Sequence, residues 1–148
     1  MDDNYHFHKI TEADSTFIQD LAKESGGNQN LNSKNITHWY FNNPQNSKSL
    51  WKVVYKNRLE GYATTNNFIH AIDNNSFLIA FPQNVLTSTR VRGKGLFKKL
   101  YFKTEVENIE ENKVDCFLTF TGSMSTPIFL NKFGYSTTQI ISTANAKK

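Results

Sequence analysis

The sequence predicts an α/β domain with a mixed sheet, and three observations lead to this fold class. Segments with strand and helix character follow in the order β, α, α, three β, α, β, α, β, which is typical of layered α/β structures. The 148 residues suffice for one core and are too few for two comfortable domains, so we expect a single domain over residues 1–148. A glycine-containing turn, RVRGKG at residues 90–95, joins a strand to the longest predicted helix.

The first third of the chain predicts one strand and two helices. HFHKI, residues 6–10, has the alternation of a short strand, and TEADSTFIQDLAKES continues as a helix with Thr11 or Asp14 as its cap. Its apolar residues recur at helical spacing, at Phe17, Ile18 and Leu21.

A polar loop at residues 26–33 leads to a second short helix, KNITHWYFNN, which stops before Pro44. Ile36, Trp39 and Tyr40 would form its buried stripe, with the alternative that the aromatic residues of this helix line a pocket.

The middle of the chain predicts a β-meander. LWKVVY, a turn at Asn57 and Arg58, and LEGYATTNNFIHAI form a hairpin, and a second turn at residues 73–75 leads to FLIAFPQNVLTST. Pro82 cannot donate a ladder hydrogen bond, so we expect a bulge or a free edge near it.

The last third predicts a long helix, a short strand, a short helix and a final strand. LFKKLYFKTEVENIEENK has apolar residues at Leu96, Phe97, Leu100, Tyr101, Val106 and Ile109. DCFLTF reads as a buried strand that holds Cys116 as a packed thiol, and STPIFLNKFGY as a helix that starts near Pro127 and ends at Gly134. Residues 135–142 would be the final strand.

Composition limits the function classes. Seventeen Lys and Arg against 13 Asp and Glu give a net charge of +4, which suits an anionic small molecule better than a dedicated nucleic-acid role. One cysteine excludes an intramolecular disulfide, and the histidines have no ligand partners at metal-binding spacing, so we expect no metal. Without a signal peptide or membrane span in the sequence, we expect a cytoplasmic protein with no membrane partner.

The RVRGKG turn has the chemistry of a phosphate site. The first N–H groups of a helix are unpaired and carry partial positive charge, and Gly93 and Gly95 leave the backbone open to approach. Cations surround them at Arg90, Arg92, Lys94, Lys98, Lys99 and Lys103. The dinucleotide fingerprint would need glycine where Lys98 stands, and no Walker A Lys-Ser/Thr pair follows, so neither NAD nor ATP binding is supported.

A third phosphate motif fits, and with it the sequence resembles the GNAT superfamily of acyl-CoA N-acyltransferases. The family signature is Arg or Gln, two residues, Gly, one residue, then Gly or Ala, and Arg90, Gly93 and Gly95 fill it. The likeness covers most of the chain, from HFHKITEADSTFIQDL to NKFGY. WYFNNP followed by a hairpin and VLTSTRVRGKGLFKKL is most similar to members associated with amino-sugar modification.

The resemblance implies acetyl-CoA as co-substrate, a small-molecule amine as acceptor, and a GNAT-like, mostly antiparallel sheet with helices on both faces. In the family the turn binds the coenzyme pyrophosphate, and the fourth strand diverges from the fifth to receive the acyl-pantetheine, with a main-chain N–H facing the thioester oxygen. The coenzyme-binding residues are then Val85, Leu86, Thr87, Arg90, Val91, Arg92, Gly93, Lys94, Gly95, Leu96 and Phe97. The acceptor implied by the finer likeness is a nucleotide-linked amino sugar.

The catalytic side chains depart from the family pattern. Leu130 stands where the family often has a tyrosine acid, and Gln83 and Asn84 occupy the stretch of its glutamate base. Substitutes are His70 as a base, suited to neutral pH by residue type, with Glu60 as a second choice. Three hydroxyls could hydrogen-bond the leaving sulfur, those of Ser123, Ser125 and Tyr135.

Two other classes stay open. The absent tyrosine and glutamate allow a non-catalytic acyl-CoA-binding or interaction module, and the RVRGKGLFKK segment allows a nucleic-acid binder, although coenzyme A explains its cations more simply. The chain after the last helix has room for one strand where the family has two. We therefore expect an open sheet edge at residues 139–143, completed by a second copy in a homodimer or by a following domain.

Overall fold

The computed structural model describes residues 4–27, 30–122 and 125–137. Five strands are present in this part of the chain: β1 (His6–Lys9), β2 (Lys48–Tyr55), β3 (Arg58–Ile72), β4 (Asn75–Thr87) and β5 (Cys116–Phe117). The α-helices are α1 (Ser15–Glu24), α2 (Ser33–Ile36), α3 (Leu96–Glu110) and α4 (Thr126–Lys132). Short 3₁₀ turns cover Glu12–Asp14 and Thr89–Val91, and a π-helical turn, Thr37–Phe41, continues α2.

The strands form one sheet in the order β1-β2-β3-β4-β5. The first four strands pair antiparallel and β4 pairs parallel with β5, so the sheet is mixed and mostly antiparallel, as predicted. The β2–β3 hairpin turns one residue earlier than expected. Lys56 and Asn57 carry the positive φ angles of 48° and 60°, and Arg58 already pairs with Tyr55.

A bulge interrupts β4 next to Pro82, as predicted. Thr64 of β3 lies opposite Asn84, and the next residue, Thr65, lies opposite Pro82, so Gln83 is the extra residue. Further along, β3 and β4 approach closely at Gly61, where a Cβ atom would lie 2.8 Å from the carbonyl oxygen of Leu86. Only glycine fits this position without moving the β4 backbone.

Helices cover both faces of the sheet, as predicted. On one face, α1 and α2 pack against β2 and β3 through a core that contains Ile18, Leu21, Ile36, Leu50 and Tyr62. On the other face, α3 packs through a second core that contains Val53, Ala63, Val91, Leu96 and Leu100. The sheet between them presents alternate residues of each strand to the two layers.

Four predicted core residues lie at the surface. Phe17 and Ile109 are 61% and 52% exposed because each lies on the solvent side of its helix, whereas Thr104 and Asn108 take the buried positions of α3. Trp39 is 51% exposed, although its neighbour Tyr40 is buried. Cys116 is exposed because β5 is a short strand at the sheet edge.

The helix at residues 126–132 ends as predicted, with Gly134 at φ +72°. Residues 135–137 have no regular structure, and the rest of the predicted final strand, with the predicted open edge at 139–143, lies outside the described residues. No helix in the described part of the chain is both long and apolar enough to cross a membrane.

Candidate functional site

The edge of β4 that faces β5 is open after the bulge. β5 pairs with β4 only at Ile79 and Ala80. On the side towards the bulge, two further hydrogen bonds extend the contact, from Leu118 N–H to the Ala80 carbonyl and from the Thr119 hydroxyl to the Pro82 carbonyl. Within the described residues, no hydrogen bond joins residues 83–87 to the chain beyond β5. The two strands therefore enclose a gap that starts at the bulge.

Backbone direction along this edge decides which amides line the gap. The Ser88 N–H donates to the Glu60 carbonyl of β3 at 2.8 Å, and the Leu86 carbonyl lies over Gly61 of the same strand. Because successive residues of a strand direct their backbone groups to opposite edges, Val85 and Thr87 direct theirs to the open edge. Leu86 was predicted as a backbone contact of the coenzyme, but its backbone groups are directed towards β3 instead.

The open edge runs directly into the glycine turn. The Thr89–Val91 turn buries Val91, which is 4% exposed, in the α3 core and so fixes the start of the turn. Gly93 and Gly95 then take φ angles of +81° and +73°, in the left-handed region that L side chains avoid. No atom lies within 4 Å of a Cβ built on either glycine, so the turn is bare on its outer side.

Helix α3 begins immediately after the turn, with Gly95 as its N-cap. The first amides of this 15-residue helix have no partner within the helix and present the positive end of its dipole. Leu96 is buried, and the Phe97 ring stacks on Phe133, the residue after α4, with centroids 6.2 Å apart. These two side chains hold the helix start in place, so the backbone amides of the two residues are what a ligand can contact.

The cationic side chains of the turn differ in the partners that they contact. Arg90 bridges two carboxylates: it forms ion pairs with Glu24 of α1 and with buried Glu60 of β3, which also accepts a short hydrogen bond from the Ser88 hydroxyl. Arg92 donates to the Ser25 carbonyl at 3.2 Å. We infer that Arg90 holds the turn against the sheet and that Arg92 is the better placed to contact an anion.

Lys94 lies beside the aromatic ring of Tyr5. Its Nζ donates to the Tyr5 hydroxyl at 3.0 Å and lies 5.5 Å from the ring centroid. The whole residue is exposed, so this charge stays at the mouth of the turn.

A buried polar cluster lies at the bulge, and sequence reasoning did not find it. The Asn84 amide donates to the Tyr40 hydroxyl at 2.6 Å, and the Thr64 hydroxyl lies 3.1 Å from the same oxygen. Burial raises the pKa of Tyr40, and the hydrogen bonds from Thr64 and Asn84 offset this only in part. The Tyr40 hydroxyl therefore stays protonated at neutral pH, and no short motif signals a cluster whose members come from three separate elements.

This cluster borders the first of two adjoining pockets. A pocket of about 490 Å³ is lined by Tyr40 and Asn84 together with Trp39, Phe81, Gln83 and Phe120. A second, of about 410 Å³, shares Trp39, Phe81 and Gln83 and extends along β3 past His70. The pockets open at the same bulge where the gap between β4 and β5 starts.

The predicted catalytic side chains are not brought together at this gap. His70 is exposed and lies seven residues along β3 from Ala63, the partner of Val85, so the two positions are roughly 23 Å apart. Ser125 precedes α4 and its hydroxyl donates to the Gly122 carbonyl at 3.3 Å. Ser123 lies outside the described residues.

Glu60 and Tyr135 also have structural partners. Glu60 is committed to Ser88 and Arg90, as described above. The Tyr135 hydroxyl lies 2.5 Å from that of Tyr101, and burial raises the pKa of Tyr135 to about 12. Among the described residues, no group of three or more His, Cys, Asp or Glu side chains could hold a metal ion.

Comparison with solved structures identifies the fold. A predicted acetyltransferase from Clostridium acetobutylicum, solved with acetyl-CoA, superposes with a TM-score of 0.76 at 17% identity, over 95% of this chain and 96% of that one. Glucosamine-6-phosphate N-acetyltransferase from Arabidopsis thaliana gives a TM-score of 0.72 at 12% identity, over 97% and 99% of the two chains. AAC(6')-Iy, solved with the bisubstrate analogue CoA-S-monomethyl-acetylneamine, gives 0.74 at 9% identity, also over 97% and 99%.

The chain therefore has the fold of the GNAT acetyltransferases, as its turn motif predicted. No protein-family model and no curated protein sequence matches it. At these identities the likeness establishes the fold, and the activity has to be argued from the site.

Proposed function

We propose that this protein is an N-acetyltransferase that moves an acetyl group from acetyl-CoA to a primary amine of a small molecule. The observation that carries the proposal is the continuity of two features: the open edge at residues 83–87 leads directly into the bare turn at residues 90–95. An extended pantetheine arm can make strand-like hydrogen bonds along this edge. The pyrophosphate can then accept hydrogen bonds from the amides at the start of α3.

The roles of the turn residues follow from their contacts. The Lys94 N–H already donates to the Val91 carbonyl at 3.4 Å, so a pyrophosphate would meet the amides at the start of α3, beside the bare Gly93 and Gly95. Arg92 and Lys94 supply positive charge at the mouth. Val85 and Thr87 offer amides to the pantetheine or the thioester. Val91, Leu96 and Phe97 support the turn through their side chains, and Arg90 ties it to the sheet.

The reaction needs both substrates in one complex. The amine nitrogen attacks the thioester carbonyl carbon, a C–N bond forms, and the C–S bond breaks as coenzyme A leaves as its thiolate. In this proposal the Val85 N–H, which is directed to the open edge, stabilises the oxyanion. A proton from the amine passes to solvent or to the thiolate. Because a free thiol has a pKa near 8.5, the thiolate can leave without a strong acid at the Leu130 position.

The acceptor amine meets Asn84 at the bulge. The Asn84 nitrogen donates to Tyr40, so the Oδ1 of this amide remains to accept a hydrogen bond from the amine. This contact would orient the nitrogen lone pair towards the thioester, and positioning of this kind supplies much of the rate in two-substrate reactions.

We further propose an amino sugar as the acceptor. Support comes from the likeness of WYFNNP and the turn segment to amino-sugar-modifying members, and from the fold shared with glucosamine-6-phosphate N-acetyltransferase. The nucleotide-linked form and the cytoplasmic location stay predictions from the sequence, as does a homodimer or following domain that completes the sheet.

Calorimetric titration with acetyl-CoA and with CoA tests the coenzyme site. We expect saturable micromolar binding to the wild type and at least a 100-fold loss in Gly95→Trp, whose side chain would cover the bare turn. Gly134→Trp is the matched control, because Gly134 has nearly the same φ angle, +72°, and equally open surroundings at the end of α4. It carries the same backbone strain away from the turn and should bind acetyl-CoA normally.

The other outcomes separate the rival classes. An equal loss of acetyl-CoA affinity in both glycine variants would show that backbone strain causes the loss. The assignment of the coenzyme site to the turn would then be wrong. Binding without thiol release for any amine would favour the non-catalytic module. No binding at millimolar acetyl-CoA by folded protein, with salt-sensitive binding of oligonucleotides, would favour the nucleic-acid binder.

A further inference from the structure

The two adjoining pockets at the bulge have an unusual lining for a site that would receive a charged metabolite. Among the described residues, no Asp, Glu, Lys or Arg lines either pocket. His70 in the outer pocket and Tyr40 in the inner one are the titratable groups there. The surface between them is made of aromatic rings and carboxamides.

The aromatic rings present open faces. Trp39 is 51% exposed and Phe120 is 74% exposed, one from the π-helical turn and the other from the chain after β5, and Phe81 lies in the lining of both pockets. Large exposed aromatic side chains at a concave site are typical of ligand-binding sites, because a ligand that covers them removes apolar surface from water. Rings of this kind stack on the apolar C–H face of a sugar.

The carboxamides supply hydrogen bonds in both directions. Asn30, Asn35, Gln83 and Asn84 line the inner pocket. A carboxamide carries both a donor and an acceptor, and after its bond to Tyr40 the Asn84 group keeps its oxygen as an acceptor. Gln83 accepts from Asn66 at 3.4 Å through its oxygen, so its nitrogen is the end that remains as donor. Hydroxyl groups, which both donate and accept, are the natural partners of such a surface.

Charge argues against two other acceptor types. A phosphate in the pockets would find no cation among the described lining residues, so its charge would have no ionic partner there. A polycationic amine would equally find no carboxylate.

Together these observations lead to one acceptor class. We infer that the pockets take an amino sugar that carries no phosphate and no second positive charge, with its ring against Trp39 and Phe120 and its amine at Asn84. The inference rests on the proposed acetyltransferase function and narrows it. Phosphorylated and nucleotide-linked sugars are then disfavoured as acceptors, as is an aminoglycoside such as neamine.

Thiol release from acetyl-CoA, measured with matched acceptors, tests the inference. The panel is glucosamine, glucosamine 6-phosphate, neamine and the hydroxyl-free amine phenethylamine. We expect kcat/KM for glucosamine to exceed that for each of the others at least 30-fold. A higher value for the phosphate, for neamine or for phenethylamine would overturn the acceptor class while leaving the acetyltransferase activity in place.

Charge-insertion variants give the test a second, independent readout. Gln83→Lys places a cation in the lining. It should lower the ratio of kcat/KM for glucosamine to kcat/KM for glucosamine 6-phosphate at least tenfold. Asn35→Lys, on exposed α2, should act in the same direction and covers the case in which the first variant does not fold. Asn75→Lys at the exposed β3–β4 turn is the matched control and should keep the wild-type ratio.

Failure of the inference and failure of the proposed function give different results. If acetyl-CoA binds but none of the four amines releases thiol, the acceptor class is wrong and the coenzyme site stands. If acetyl-CoA does not bind, the proposed function fails first. An unchanged ratio in both lysine variants would show that the acceptor lies elsewhere.

Discussion

In the function that we propose, the two ends of the cleft recognise their ligands by opposite means. At the turn, recognition comes from backbone amides, bare glycines and cations within residues 90–99, and ion pairs hold the turn in place. At the bulge, recognition comes from aromatic rings and amides of separate elements, with no ionic side chain among the described lining. The turn suits an invariant ligand, the coenzyme. The residues at the bulge can change with the acceptor without disturbing the turn.

Removal of one amide at the open edge should have the largest effect. In Val85→Pro the backbone N–H that we propose for the thioester oxygen is lost, whereas the β3 ladder is kept because Val85 directs its backbone to the other edge. We expect kcat to fall about 100-fold or more, on the order of 3 kcal/mol. Steady-state thiol release measures this.

Val85→Ala is the matched control, because it shortens the side chain and keeps the amide. A folded Val85→Pro protein with the same kcat as Val85→Ala would show that this N–H takes no part in the chemistry. Circular dichroism and the unfolding temperature establish whether both variants are folded.

The two arginines of the turn should separate stability from coenzyme affinity. Arg90→Ala leaves Glu60, whose side chain is 5% exposed, without its ion pair, and should lower the free energy of unfolding by about 2 kcal/mol. Arg92→Ala removes an exposed side chain and should leave stability within about 0.5 kcal/mol. Its effect should be on acetyl-CoA, with Kd raised about tenfold.

Urea unfolding and calorimetry on the same two proteins give both quantities. The reverse pattern, with stability lost in Arg92→Ala and affinity alone lost in Arg90→Ala, would exchange the roles that we assign. It would also place the first arginine of the signature on the phosphate.

Trp39 offers a smaller test at the acceptor end. Trp39→Ala should raise the acceptor KM about tenfold and leave the Kd for acetyl-CoA unchanged, because the indole lines both pockets and lies away from the turn. Phe17→Ala is the matched control: Phe17 is 61% exposed on α1 and lines neither pocket. An equal KM shift in both variants would indicate a general loss of surface packing.

The glycine turn could be predicted from the sequence because its determinants are local. Gly93 and Gly95 have to be glycine at their φ angles, and a helix has to start after them for the amides to be available. The bulge was predicted for the same reason, from the missing N–H of Pro82. Such constraints act within a few residues and leave a readable pattern.

The polar cluster at the bulge could not be predicted in this way. Tyr40 and Asn84 are 44 positions apart, and only the packing of α2 against the sheet brings them together. The prediction that Trp39 is buried was wrong because the π-helical turn directs it outward, next to a buried Tyr40. The choice of His70 as base rested on residue type alone, and the sheet register separates it from Val85.

The smallest expected effect lies away from both ends, at the capping residue of the first helical turn. The Asp14 carboxylate accepts hydrogen bonds from the Thr11 N–H at 2.7 Å and from Lys52 at 2.5 Å. Burial alone would raise its pKa, but the hydrogen bonds from Lys52 and Thr11 and the Lys52 charge outweigh burial, so the pKa of Asp14 lies below its ordinary value of 3.8.

A carboxyl group with a depressed pKa stabilises the fold only while it is ionised in the folded state. Its contribution is therefore complete above the unfolded pKa and is lost as pH falls through the folded pKa. Asp14→Asn should cost about 1 kcal/mol at pH 7, and the difference from wild type should disappear as pH falls through the folded-state pKa of Asp14. Urea unfolding at several pH values measures it, with Asp20→Asn on the exposed side of α1 as control. A difference that persisted unchanged into acid would mean that Asp14 acts through packing, because protonation would then leave its contribution intact.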